Sequence, residues 1–100
     1  MKPLIPLILL PILLAACAAS PAPEFFGATR TEVTRAGRQY VVYQKGERVE
    51  VIRLGHARNG DHAAIRATMT ALIPEVTGCA LRPSTLQGDS GEMRGSLTCG

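Results

Sequence analysis

The sequence predicts an α+β fold: a small antiparallel sheet in the order β-β-β-α-β-β, with one helix packed on one face. Three observations carry this expectation. Residues 28–54 alternate with a period of two and are punctuated by two short glycine turns. Apolar residues then recur at helical spacing from Ile65 to Val76. A second, weaker pair of strand-like runs follows, ending at Cys99.

Thr29–Thr34 is rich in β-branched residues and alternates, as a strand on a half-buried surface does. Ala36-Gly37 interrupts it, and Arg38–Gln44 is the second strand. Its centre, Tyr40-Val41-Val42-Tyr43, is apolar on both faces, which predicts a central position in the sheet. Lys45-Gly46 turns the chain into a third strand, Glu47–Leu54, and Gly55–Gly60 is loop. Asp61 stands where its side chain can cap the free amides of a following helix. Ile65, Met69, Leu72 and Val76 mark the face that meets the sheet, and Pro74 is expected to end the helix or kink its last turn. Gly78 suits a left-handed cap. Ser84–Gly88 and Met93–Cys99 then read as a hairpin about Asp89-Ser90-Gly91.

Chain length and hydropathy divide the 100 residues into three parts. Hydrophobic residues are 46% of the total, but twelve of them fall in the first sixteen positions. Lys2 followed by the apolar run to Leu14 and the small residues Ala15-Ala16 is the pattern of a cleaved secretory signal peptide. The run is shorter than the roughly 20 residues a bilayer crossing needs, and Pro6 and Pro11 break its helix. Residues 1–16 are therefore assigned to the leader and residues 17–24, with Pro21 and Pro23, to an extended tether. Residues 25–100 form the single folded domain, opening with Phe25-Phe26, a pair expected to pack on the domain rather than on lipid. The formal charge is +3, and +2 without Lys2, which does not indicate a nucleic-acid partner.

Leu14-Ala15-Ala16-Cys17 resembles the lipobox of bacterial lipoproteins: a branched apolar residue, two small residues and a cysteine after the apolar run. The resemblance covers residues 1–17 and leaves the domain unmatched to any family. It implies cleavage before Cys17, acylation of the Cys17 thiol and usually of its new amine, and a membrane partner reached through those acyl chains. Two or three chains make a stable anchor where one is marginal. Ala18, in place of an aspartate, leans toward the outer membrane. The expected location is the cell envelope, membrane-anchored and facing the periplasm.

Three cysteines leave an odd one in an exported protein. With Cys17 lipidated, Cys79 and Cys99 remain as a pair, and an oxidising periplasm favours their disulfide. Free thiols or a metal site are the alternatives, but neither His56 nor His62 has zinc-ligand spacing to a cysteine. No metal or cofactor is expected.

Gly88-Asp89-Ser90-Gly91 resembles the nucleophile segment of trypsin-like proteases, and His56, Asp61 and Ser90 follow that family's chain order. The departures are larger: that fold is more than twice this length, its further glycine is Glu92 here, and His56 and Asp61 share one loop. A hairpin turn built of turn formers accounts for the segment. Arg35, Arg38, Lys45, Arg48, Arg53, Arg58 and Arg66 suggest an anion-attracting surface, but Glu32, Glu47 and Glu50 interleave with them, as on a solvated sheet face with cross-strand ion pairs. Arg53 stands out by interrupting Val51-Ile52-Arg53-Leu54. With His56 and Arg58 it forms the candidate binding surface.

These readings point to a non-enzymatic, lipid-anchored interaction module whose partner is an envelope protein or glycan. A second reading is a periplasmic inhibitor of a lysozyme or peptidase, which requires a rigid exposed loop at 55–61 or 88–92. A third, a small hydrolase using Ser90, requires His56 or His62 beside Ser90 in a cleft.

Overall fold

The alternation of residues 29–53 is realised as three consecutive antiparallel strands, β1 (Thr29–Arg35), β2 (Arg38–Lys45) and β3 (Arg48–Arg53), in a computed structural model that describes residues 20–100. The leader, Cys17 and Ala18 lie outside the described residues. Both connections are two-residue hairpin loops. In the first, Ala36 and Gly37 both have positive φ, 54° and 76°, the pair of signs that a type I′ turn requires. In the second, Gly46 at φ 60° is the first central residue and Glu47 has no positive φ, the pattern of a type II′ turn, which needs a glycine at that first position.

The helix α1 (His62–Thr77) follows the loop. Ile65, Met69 and Leu72 are buried as expected. Ile73 joins them while Val76 is only partly buried, so the packed stripe ends one turn earlier than the sequence spacing indicates. Asp61 is the residue before the first turn, but its side chain makes no capping bond. Its carboxylate instead accepts from Arg38 Nη2 at 2.8 Å, and an arginine partner competes successfully for the oxygens that would meet the amides. Pro74 neither ends nor breaks the helix. It sits in the last turn, where one missing N–H costs a single bond, and its own carbonyl accepts the amide of Gly78 at 2.9 Å. Gly78 closes α1 in the left-handed region at φ 71°.

After the helix the chain forms three strands rather than two: β4 (Ala80–Leu81), β5 (Gln87–Gly88) and β6 (Glu92–Thr98). Pro83 opens a 3-10 turn, Pro83–Thr85, which takes up the start of the expected Ser84–Gly88 strand and leaves only two residues to pair. The strand order is β1-β2-β3-β6-β4, with β5 also pairing β6. One edge of β6 thus lies on β3, with Val51 opposite Met93. Its other edge is shared between β5 and β4.

The sheet is covered on both sides. Tyr40, Val42, Val49, Val51, Met93 and Leu97 face α1 and close the larger core with Ile65, Met69, Leu72 and Ile73. On the opposite face Phe25 fills a smaller core with Val41 and Tyr43, flanked by Ala22, Ala28, Ile52 and Leu54. Both faces of Tyr40–Tyr43 are therefore used, and β2 has a strand on either side. Burying a side chain such as Phe25 or Leu72 stabilises by about 1.5–3 kcal/mol each.

Cys79 and Cys99 are joined by a disulfide, with Cα atoms 4.5 Å apart. They stand one rung beyond the Ala80–Thr98 pair, so the bond fastens the end of α1 to the end of β6.

Candidate functional site

The end of the domain at the start of α1 gathers several of the residues singled out above. The loop 55–60 brings the chain from β3 to Asp61, and the Asp89–Gly91 turn comes back to the same place. Arg53 links the two, because its backbone amide donates to the Gly91 carbonyl at 3.0 Å. The turn is held by its own aspartate: Asp89 Oδ1 accepts the amides of Gly91 at 2.8 Å and Glu92 at 3.3 Å. Those amides, Gly91 before Glu92, hold the Asp89 carboxyl below the ordinary aspartate range, and Arg66 and Arg53 add to the effect.

Ser90 is turned inward from this turn and is only 7% exposed. Its Oγ lies 2.5 Å from Nδ1 of His62, the first residue of α1. A hydroxyl can donate to or accept from the ring nitrogen, so the contact is satisfied in either imidazole tautomer. This is the spacing of a nucleophile and a base, but the third group of a triad is elsewhere: the Asp61 carboxylate is on Arg38. As placed, the pair pins the β5–β6 hairpin to the first turn of the helix.

Arg53, His56 and Arg58 divide by environment. His56 and Arg58 are exposed on the loop, whereas Arg53 is half-buried, with Nε and Nη1 both shielded from solvent and without an acceptor among the described residues. The loop is exposed but held. Ala57 packs against the larger core, the Asp61 amide donates to the Arg58 carbonyl at 3.1 Å, and the Asp61–Arg38 pair fixes its far end.

The opposite face carries a feature that the sequence reading did not find. Glu50, which in the sequence reads as part of a solvated face, is 2% exposed where the N-terminal segment meets the sheet. Its Oε1 accepts the amide of Ala22 at 3.0 Å. Burial pushes the Glu50 carboxyl up to about 7, and its hydrogen bond with Glu92 adds to the rise; the Ala22 amide and Arg94 oppose it. Beside it Glu24 pairs with Arg48 at 3.1 Å and Arg94 at 3.9 Å. The hydrogen bond from Arg48 holds the Glu24 carboxyl below the usual range. The segment is thus fastened by the burial of Phe25, by the Ala22 amide and by the Glu24 ion-pair cluster.

The ion pairs do not run across the sheet as expected. Among the described residues they join residues two apart on one strand (Arg30–Glu32, Arg94–Glu92) or tie a strand to α1, to its leading loop or to the N-terminal segment. The segment and the helix each lie over the sheet and intercept the arginines before they reach a neighbouring strand.

Among the described residues no three His, Cys, Asp or Glu side chains gather as a metal ion requires, and no helix is long and apolar enough to cross a membrane. A scan of the chain against protein-family models and searches of curated proteins and of solved structures each found no match.

Proposed function

We propose that the protein is a lipid-anchored interaction module of the bacterial cell envelope, cleaved ahead of Cys17, acylated there, and facing the periplasm, with the outer membrane favoured by Ala18. The observation that carries this reading is the partition of the cysteines. Cys79 and Cys99 bond to each other, so Cys17 is left as the odd cysteine, at the position where the lipobox resemblance needs a free thiol. A disulfide also accords with an oxidising compartment. The partner is an envelope protein or glycan, met by the exposed loop with His56 and Arg58 and the adjoining Arg53.

The test is fractionation of cells producing the full chain. The native protein is expected in the membrane fraction, and Cys17→Ser in the soluble periplasmic fraction. A C17S variant that stays with the membrane to the native extent contradicts the anchor.

One observation favours a second reading, inhibition of a periplasmic hydrolase: the loop 55–60 is exposed yet pinned at Ala57 and Asp61, as a loop inserted into an enzyme cleft must be. Under this reading the purified protein slows a lysozyme or peptidase of the envelope, and alanine at His56 and Arg58 abolishes the effect. Unchanged rates across both enzyme classes remove it.

A further inference from the structure

Phe25 and Phe26 are adjacent in sequence and opposite in fate. Phe25 is 1% exposed in the smaller core, while Phe26 is 60% exposed and is the large hydrophobic side chain that the described domain leaves in water. One lysine reaches its backbone. Lys45, the last residue of β2 before the β2–β3 turn, donates from Nζ to the Phe26 carbonyl at 2.9 Å, and no carboxylate among the described residues pairs with that ammonium. Glu47, on the same turn, is occupied with the amide of Cys99. An exposed aromatic ring beside a lysine is the pairing that favours a membrane–water interface: the ring enters the headgroup boundary and the ammonium meets lipid phosphate.

Position supplies the occupant. Ala22 to Phe26 lies fastened on the sheet, and Cys17 stands only five residues of sequence before Ala22. That step spans at most about 18 Å when fully extended. A domain held so close meets the bilayer surface at high effective concentration, and a contact too weak to bind from solution is sufficient there.

We propose that Phe26 and Lys45 form the contact through which the anchored domain rests on the anionic lipid surface, which orients the opposite elements away from it. The proposal rests on the lipid-anchored reading, and the experiment separates the two. The chain contains no tryptophan, so Phe26→Trp introduces a single fluorophore at an exposed position where the fold tolerates it. The full F26W chain, purified from membranes, is reconstituted in phosphatidylethanolamine–phosphatidylglycerol vesicles, and the acyl mass is read on the same sample. The expected result is an acylated protein whose emission is blue-shifted on vesicles and quenched by lipids brominated near the headgroup, with both effects reduced by Lys45→Glu. Acylated protein with the emission of a water-exposed indole, insensitive to brominated lipid, overturns the membrane contact and leaves the anchor standing. Protein without acyl mass overturns both.

Discussion

The backbone amide of Ala22 donates to the carboxylate of Glu50 at 3.0 Å, joining the N-terminal segment to the middle of β3 across 28 residues of sequence. Glu50 is buried, and its carboxyl is raised from 4.5 to about 7 by that burial, then by the hydrogen bond with Glu92. Because the folded state holds this proton more tightly than the unfolded chain does, the linkage has a definite sign. Stability is greatest below about pH 4.5, falls as pH rises toward 7, and levels above it, as far as this group is concerned. Glu50→Gln keeps an acceptor for the amide and removes the charge. It is expected to raise stability at pH 8 by on the order of 1–2 kcal/mol, with little change at pH 4.5. Urea denaturation at the two pH values checks this, and equal effects at both contradict it.

Ala36 occupies the left-handed region at φ 54°, next to Gly37 at φ 76°. A residue with a Cβ is strained there by roughly 1–2 kcal/mol, and asparagine tolerates it best. Ala36→Asn is expected to stabilise the protein by about 0.5–1 kcal/mol, read as a rise in thermal midpoint without change in the circular dichroism spectrum.

Gly88 is the opposite case. Its φ is 111°, and a Cβ there would lie 2.2 Å from the Glu92 carbonyl oxygen and 2.7 Å from the Met93 Cα. Both contacts are backbone, so no side chain can yield. Gly88→Ala is expected to cost about 3 kcal/mol or more and to open the β5–β6 pairing. Amide exchange at Met93 and Arg94 would report the opening. An unperturbed hairpin would refute the register.

Ser90 and His62 form one contact, so removing either should remove the same energy. Ser90→Ala and His62→Ala are each expected to destabilise by about 1 kcal/mol, and the double variant by little more than either alone. Fully additive losses in the double-mutant cycle would show that the two residues act separately.

Much of this fold is legible in the sequence because its first half is local. The first three strands are joined in sequence by two two-residue turns, and alternation and turn chemistry are short-range signals. Ile65, Met69 and Leu72 declare the helix face for the same reason. The shortfalls are long-range. β4 is two residues long and exists because β6 lies beside it, so no periodicity could announce it. Glu50 reads in the sequence as part of a solvated face, and it is buried because the N-terminal segment, 28 residues away, returns onto that face and donates the Ala22 amide to it. Asp61 has the right position for a cap and the wrong competitor, Arg38, which stands 23 residues away. The His62–Ser90 contact joins residues 28 apart, and neither carries a local signature of the other. The pairing of Cys79 with Cys99 was legible by arithmetic once Cys17 was set aside.

That arithmetic is the centre of the account, and intact-mass spectrometry of the protein from its native membrane, before and after reduction, tests it most directly. The predicted species begins at Cys17, carries the mass of two or three acyl chains, and gains two hydrogens on reduction as the Cys79–Cys99 bond opens. An unacylated mass, a retained leader, or a mass unchanged by reduction would contradict it.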